Sequence, residues 1–445
     1  MANRLFAALC VLCVASPAAA DEEALLRKIE ALEQRVQELE GEKALRDERT
    51  PPEPETSRYD WTRRIRLSGS TDQGYFGGGE YSQTPNDGFD IWDARFFLDA
   101  GLGQDVGYDN LTLFRDIGLS FEWDLVRIGY LQNDVGDLYV DFQGVADSDW
   151  LNFQVGRFQI PVGEAYLHYG KGYESNFFVS NSFGPWFWDE GVKIYSMAGE
   201  GRFGYVASIE NGDTPFNASP SGSGKQLTLK LFADPWPWLH LSVSALRSGD
   251  LGSSSNPASG SLWLGESWAR AFGTGTTVTN FQNGVAVPDG PNKVHDTWLV
   301  DGDAIVDLPD KARLWLGYGQ YHIDSTQGTF YDRTLQYWIA ELVLQGAWLG
   351  EGLRPFYAGV RGQQYGTTDT DKGYLLDFRR ASTLGYNMQQ MTALSGVLGW
   401  DITNWLRLRA EYTHLDIDLV RGVGQDMRDD ARDADYFAVE LGAHF

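Results

Sequence analysis

Tyr436-Phe437-Ala438-Val439-Glu440-Leu441-Gly442-Ala443-His444-Phe445 closes the chain, and its apolar side chains fall on every second position. Successive side chains of a strand project to opposite faces. Phe437, Val439, Leu441, Ala443 and Phe445 therefore share one face, while Tyr436, Ala438, Glu440, Gly442 and His444 share the other. One face is oily and the other mixed. Such a ribbon suits a wall between hydrocarbon and water, and it also suits the outer strand of a soluble sandwich. The rest of the chain decides between them.

The same alternation recurs upstream. Trp92, Ala94, Phe96, Leu98 and Ala100 oppose Asp93, Arg95, Phe97, Asp99 and Gly101; Leu151, Phe153 and Val155 oppose Asn152, Gln154 and Gly156. Leu227, Leu229 and Leu231 oppose Thr228 and Lys230; Leu239, Leu241, Val243 and Ala245 oppose His240, Ser242 and Ser244. Phe356, Ala358 and Val360 oppose Tyr357, Gly359 and Arg361, and Leu406, Leu408, Ala410 and Tyr412 oppose Arg407, Arg409, Glu411 and Thr413. Repeated this often, the pattern reads as lipid outside and water inside. The expected fold class is all-β, a transmembrane antiparallel β-barrel over residues 63–445. At roughly two dozen residues per strand and connection, about 16 strands fit, with 14 and 18 as neighbouring counts. The count is soft because residues 108–144 and 374–386 alternate poorly.

Two interruptions break the strand rhythm. Residues 161–190 are aromatic and Gly-rich, a candidate for a segment folded inward to narrow the lumen. Residues 249–294 are rich in Ser, Gly and Asn and read as a mobile extracellular loop.

Composition agrees with a barrel. The 445 residues include 16 Trp, 21 Tyr, 24 Phe and 51 Gly, and a barrel uses rings as girdles at both interfaces and glycines at turns. The net charge is −26, which argues against a nucleic-acid partner, since phosphates need a basic patch. It does not assign the sign of a pore's selectivity, which depends on the charges at the narrowest ring.

Residues 1–20 read as a secretory signal: Arg4, an apolar run from Leu5 to Val14, then Ala18-Ala19-Ala20 before Asp21. Both cysteines, Cys10 and Cys13, lie within it, so the expected mature chain has no disulfide, thiolate metal site or haem attachment. No cofactor is expected. In residues 21–50, Leu25, Ile29, Leu32, Val36 and Leu39 are spaced four, three, four and three, a short heptad repeat read as a periplasmic α-helical coiled coil. Pro51, Pro52 and Pro54 then make residues 51–62 a linker.

Val155-Gly156-Arg157-Phe158-Gln159-Ile160-Pro161-Val162-Gly163-Glu164 resembles the strand-and-turn hallmark of the phosphate-selective porin O and P family. Trp188-Asp189-Glu190-Gly191-Val192-Lys193-Ile194, Gly201-Arg202-Phe203-Gly204-Tyr205 and Glu210-Asn211-Gly212-Asp213 are similar to the segments that follow in that family. The resemblance covers roughly residues 150–215 and implies a trimeric 16-stranded porin in the bacterial outer membrane. One departure bears on function: that family gathers Lys and Arg along its pore, whereas this chain is acidic.

The expected function is a water-filled channel for small hydrophilic solutes or ions, with anions such as phosphate among the candidates. Its partners would be outer-membrane lipid, lipopolysaccharide and two further copies of itself. The pore-lining candidates are Arg64, Arg66, Arg95, Lys230, Arg361, Arg407 and Arg409, which alternation turns toward water. They could guide anions through forked, charge-assisted hydrogen bonds, or each could pair with a neighbouring carboxylate such as Asp93, Asp99 or Glu411. Arg157 falls in the apolar register and reads as structural. The acidic runs Asp426, Asp429, Asp430, Asp433, Asp435 and Asp301, Asp303, Asp307 lack the spacing of a calcium loop, so no metal is expected. None of His168, His240, His295, His322, His414 and His444 sits in a catalytic motif, and no enzyme activity is expected. The alternatives are a structural sheath around a partner protein, such as an electron-transfer conduit, and an outer-membrane barrel enzyme.

Overall fold

The computed structural model describes residues 64–78, 88–108, 111–127, 130–165, 177–180, 182, 184–186, 188–196, 203–211, 225–248, 294–325, 333–367, 387–419 and 433–445, with two- or three-residue pieces between 263 and 377. Sixteen long strands follow one another: β1 (Ile65–Gly78), β2 (Gly88–Tyr108), β3 (Leu111–Arg127), β4 (Tyr130–Gln143), β5 (Asn152–Gln159), β6 (Trp188–Tyr195), β7 (Phe203–Glu210) and β8 (Gln226–Trp236). The second half comprises β9 (Leu239–Ser248), β10 (Val294–Leu308), β11 (Ala312–Ser325), β12 (Arg333–Gln345), β13 (Phe356–Thr367), β14 (Asn387–Thr403), β15 (Leu406–Leu419) and β16 (Asp433–His444).

Each strand pairs antiparallel with the next, and β16 pairs with β1, so the sheet closes on itself. Closure leaves no unpaired edge. The closing stretch behaves as its alternation requires: Phe437 is 44% exposed on the outer face, while Tyr436, Ala438 and Glu440 are buried inside. Phe445 seals the seam, accepting a hydrogen bond from Gly69 N at 3.1 Å and donating to Gly69 O at 3.0 Å. The outer wall is oily all round, with Leu67, Val155, Leu229, Val243, Leu316, Leu342, Val360 and Leu398 exposed.

The poorly alternating region forms strands after all. The β2–β3 and β3–β4 ladders shift register five times, as between Gly101 and Gly103 and between Phe121 and Trp123. Each bulge adds a residue and reverses the parity of inside and outside, which erases a simple period of two. Of residues 374–386, only the short strand Leu375–Asp377 is described.

One rim carries short turns, among them the 3-10 turns Val145–Asp147, Gly346–Trp348 and Glu351–Leu353. Trp150, Trp236, Trp238, Trp348, Trp400 and Trp405 are exposed near that rim, with Trp236 and Trp238 stacked 5.3 Å apart. The opposite rim carries the long connections. Residues 249–293 lie mostly outside the described set, although Trp263–Leu264 pairs with Pro185–Trp186. The signal, the heptad segment and the proline linker also lie outside the described residues.

The lumen departs from a simple wet interior. Between β5 and β6 the chain turns inward as a strap, and its Ile160, Val162, Ala165 and Val179 join one buried cluster with Phe76, Leu246, Leu299, Trp315, Leu335, Tyr337, Ile339, Tyr365, Met391, Leu415 and Tyr436. These wall residues occupy inward positions where water was expected. The strap brings its own apolar side chains, so the wall it meets is apolar at that level.

Candidate functional site

The strap leaves β5 at Pro161, which has no N–H to continue the ladder, and bends at Gly163, whose φ of 64° is the left-handed region that favours glycine. Two anchors then hold it. At the first, Gly163 N donates to the Ser244 hydroxyl at 2.9 Å, Glu164 N donates to Asp303 at 3.0 Å, and the Lys230 ammonium donates to Gly163 O at 2.8 Å. The Glu164 carboxylate lies 2.6 Å from the Lys230 ammonium and 2.9 Å from His240 Nε2. Burial pushes the Glu164 carboxyl up, but the Lys230 cation and the His240 hydrogen bond outweigh it and hold it at about 2.

The second anchor lies about five strands further round the cylinder, on β13 and β15. Glu411 accepts the N–H groups of Val179 at 2.5 Å and Ser180 at 3.0 Å, and also the Ser180 hydroxyl. Arg361 donates to Ser180 O at 2.8 Å and stacks 4.3 Å from the centroid of Phe178. Arg409 donates to Phe178 O at 2.9 Å, and Tyr357 donates its hydroxyl to Phe177 O at 2.9 Å. The guanidiniums are neutralised in turn: Arg361 by Glu341 at 3.4 Å, Arg409 by Glu440 and by Asp72 at 3.4 Å, and Arg407 by Asp401 at 2.5 Å. The strap thus replaces water as the partner of buried charges, which suits a group that is expensive to leave unpaired.

Two cavities lie on the other side of the lumen. One of about 350 Å³ runs under the strap along β4 to β9, lined by Asp137, Tyr139, Gln154, Lys193, Tyr195 and Phe232 together with Glu164, Lys230 and His240. The other, of about 330 Å³, lies against β1 to β4, lined by Arg64, Arg66, Asp99, Gln104, Asp116, Asp141 and Gln143. Tyr139 lines both, so the two adjoin along β4. Their polar walls mix both signs of charge.

The seven candidate cations therefore occupy four settings. Arg64 and Arg66 border the second cavity, Arg64 donating to Gln104 at 3.0 Å. Arg95 is forked onto Asp93 at 2.8 and 3.0 Å, with Glu122 3.6 Å away. Lys230 belongs to the first anchor, and Arg361 and Arg409 to the second, with Arg407 stacked 5.2 Å from Phe177 beside it. Arg157 stays off the cavities: it is buried, donates to Val135 O at 2.9 Å and pairs with Glu190 at 2.8 Å. Among the described residues no group of three His, Cys, Asp or Glu could hold a metal ion.

Sequence reasoning offered Glu411 only as a partner for the inward cations and quoted Glu164 and Lys193 only within the resemblance, placing none of them in a site. Lys193 and Glu411 carried a signal, since each falls on the polar face between apolar neighbours: Val192 and Ile194 for Lys193, Ala410 and Tyr412 for Glu411. Glu164 carried no periodic signal, because a loop has no period; only the motif that ends on it pointed there.

No protein-family model and no curated protein matches the chain. Solved structures do. The outer membrane channel DcaP of Acinetobacter baumannii is similar at 11% identity and TM-score 0.52, covering 86% of this chain and 97% of that one. An anion-selective porin from Comamonas acidovorans is similar at 11% identity and TM-score 0.50, covering 86% and 99%. The trimer form of OmpT from Vibrio cholerae is similar at 12% identity and TM-score 0.50, covering 86% and 99%. The likeness is one of fold, a closed antiparallel β-barrel over 86% of this chain.

Proposed function

We propose that the protein is a bacterial outer-membrane channel through which small hydrophilic solutes and ions diffuse, with no reaction catalysed. The observation that carries this reading is a closed barrel, oily outside, with residues 160–165 and 177–180 anchored inside its lumen and cavities beside them that carry charged side chains. The strap argues against a sheath, since residues 160–165 and 177–180 already fill part of the bore that a partner protein would need. The short-turn rim, with its tryptophan girdle, faces the periplasm, the long connections face outward toward lipopolysaccharide, and the heptad segment lies on the periplasmic side. Three copies assemble, in keeping with the porin-like architecture.

Phosphate selectivity is the weaker version of this reading. Arg361, Arg407 and Arg409 are engaged by carboxylates and by the strap, so they offer no open ladder to an anion. Planar-bilayer recording of the folded protein tests the proposal. Stepwise ohmic conductance in potassium chloride is the expected result, and a protein that inserts without conducting would refute a channel.

A further inference from the structure

We infer that the cavity beneath the strap is a holding site for a neutral polyhydroxylated solute of sugar class. This deepens the channel reading and rests on it. The cavity, at about 350 Å³, is of the size that encloses small organic ligands, and most of its lining surface is apolar. Its apolar part includes the aromatic residues Tyr139, Tyr195 and Phe232, which offer flat faces. Its polar part carries unmet demand: Gln154 Oε1 and the second carboxylate oxygen of Glu164 are buried acceptors with no hydrogen-bond partner among the described residues. Leaving such atoms unmet is costly, so they call for a ligand that brings donors.

The charges narrow the class. The Lys193 ammonium sits 5.7 Å from the centroid of the Tyr139 ring, so an incoming cation would meet a like charge over that ring. An anion would find Lys230 and His240 already held by Glu164, and it would bring acceptors to atoms that are themselves acceptors. Hydroxyl groups fit both demands, donating to Gln154 and Glu164 and accepting from Lys193. The C–H face of a sugar ring covers an aromatic face without any charge. A solute held in this way is slowed yet still able to leave, which transport requires.

The test is calorimetric titration of maltose into the full-length protein folded in a detergent without sugar headgroups, with phosphate and benzoate titrated in parallel. Maltose is expected to bind, and Gln154→Leu and Lys193→Met are each expected to weaken it about tenfold, one good hydrogen bond's worth. Variants that keep the wild-type heat-modifiable gel mobility are folded, and only those are compared. Maltose binding that is absent, or insensitive to both folded variants, overturns the inference, as does binding of phosphate or benzoate in its place. Bilayer conductance, recorded separately, keeps the two readings apart. A conducting protein that binds no maltose defeats the subsite alone; a non-conducting protein that binds maltose with the stated variant losses supports the subsite and defeats the channel.

Discussion

Glu411 shows what single side chains do inside this barrel. It is 1% exposed, and its two oxygens take the N–H groups of Val179 and Ser180 and the Ser180 hydroxyl. Substituting Glu411→Ala would leave those buried donors without an acceptor, a loss on the order of 1–3 kcal/mol for each unsatisfied group. We expect the strap to come away from β13 and β15, raising single-channel conductance while the barrel keeps its folded gel mobility. Glu164 is the acid-sensitive counterpart at the other anchor. Its folded carboxyl is lowered to about 2 from the ordinary 4.5, so its stabilisation is complete above 4.5 and is lost as pH falls from there toward 2. The difference corresponds to about 3 kcal/mol. The part of any pH response that Glu164 carries should therefore be absent at neutral and mildly acidic pH and appear only below about pH 4.5, as a change in conductance that Glu164→Gln removes. A wild-type transition near neutrality would exclude Glu164 as its source.

At the scale of elements, the seam between β1 and β16 is the join that turns a sheet into a cylinder. Gly74 lies in it, facing Glu440 across the ladder, and a Cβ there would come within 2.2 Å of Val439 O and 2.8 Å of Glu440 Cα. Backbone cannot step aside as a flexible side chain can. Gly74→Ala should weaken the seam by about 1–3 kcal/mol, the usual cost of overpacking, and lower the temperature at which the barrel loses its folded mobility. Gly396→Ala makes the control, because a Cβ there meets nothing within 4 Å. The strap follows the same logic of matched surfaces. Its apolar residues and the apolar inner wall of β9 to β16 form one cluster, so neither surface would suit water without the other.

Within the barrel, one side of the lumen, against β9 to β16, is filled by an apolar cluster, and the other, against β1 to β9, keeps two cavities that carry charged side chains. Asp99, Asp116, Asp137 and Asp141 border these cavities, with Arg64, Arg66 and Lys193 as the opposing cations. We expect a modest preference for potassium over chloride, read as the reversal potential across a salt gradient and shrinking as salt screens the walls. The double variant Asp137→Asn with Asp141→Asn should reduce or reverse that preference. A strong anion preference in the wild type would instead return weight to the arginine reading.

The amino-acid order alone determined the strand class and the alternation of outer and inner faces, local consequences of side chains alternating along a strand; length set the strand count near 16, and the aromatic, Gly-rich break in the alternation made residues 161–190 an inward candidate. It placed Arg407, Arg409 and Lys230 on the inner face for the same reason. Only the tertiary structure decided what those cations meet, since Ser180 and Glu411 are separated by 231 residues and no local pattern links them. The bulges of β2 to β4 and the apolar inner wall were illegible for a related reason: inside and outside are defined by the closed cylinder and by what the strap brings into it, and a period of two cannot tell water from another part of the same chain.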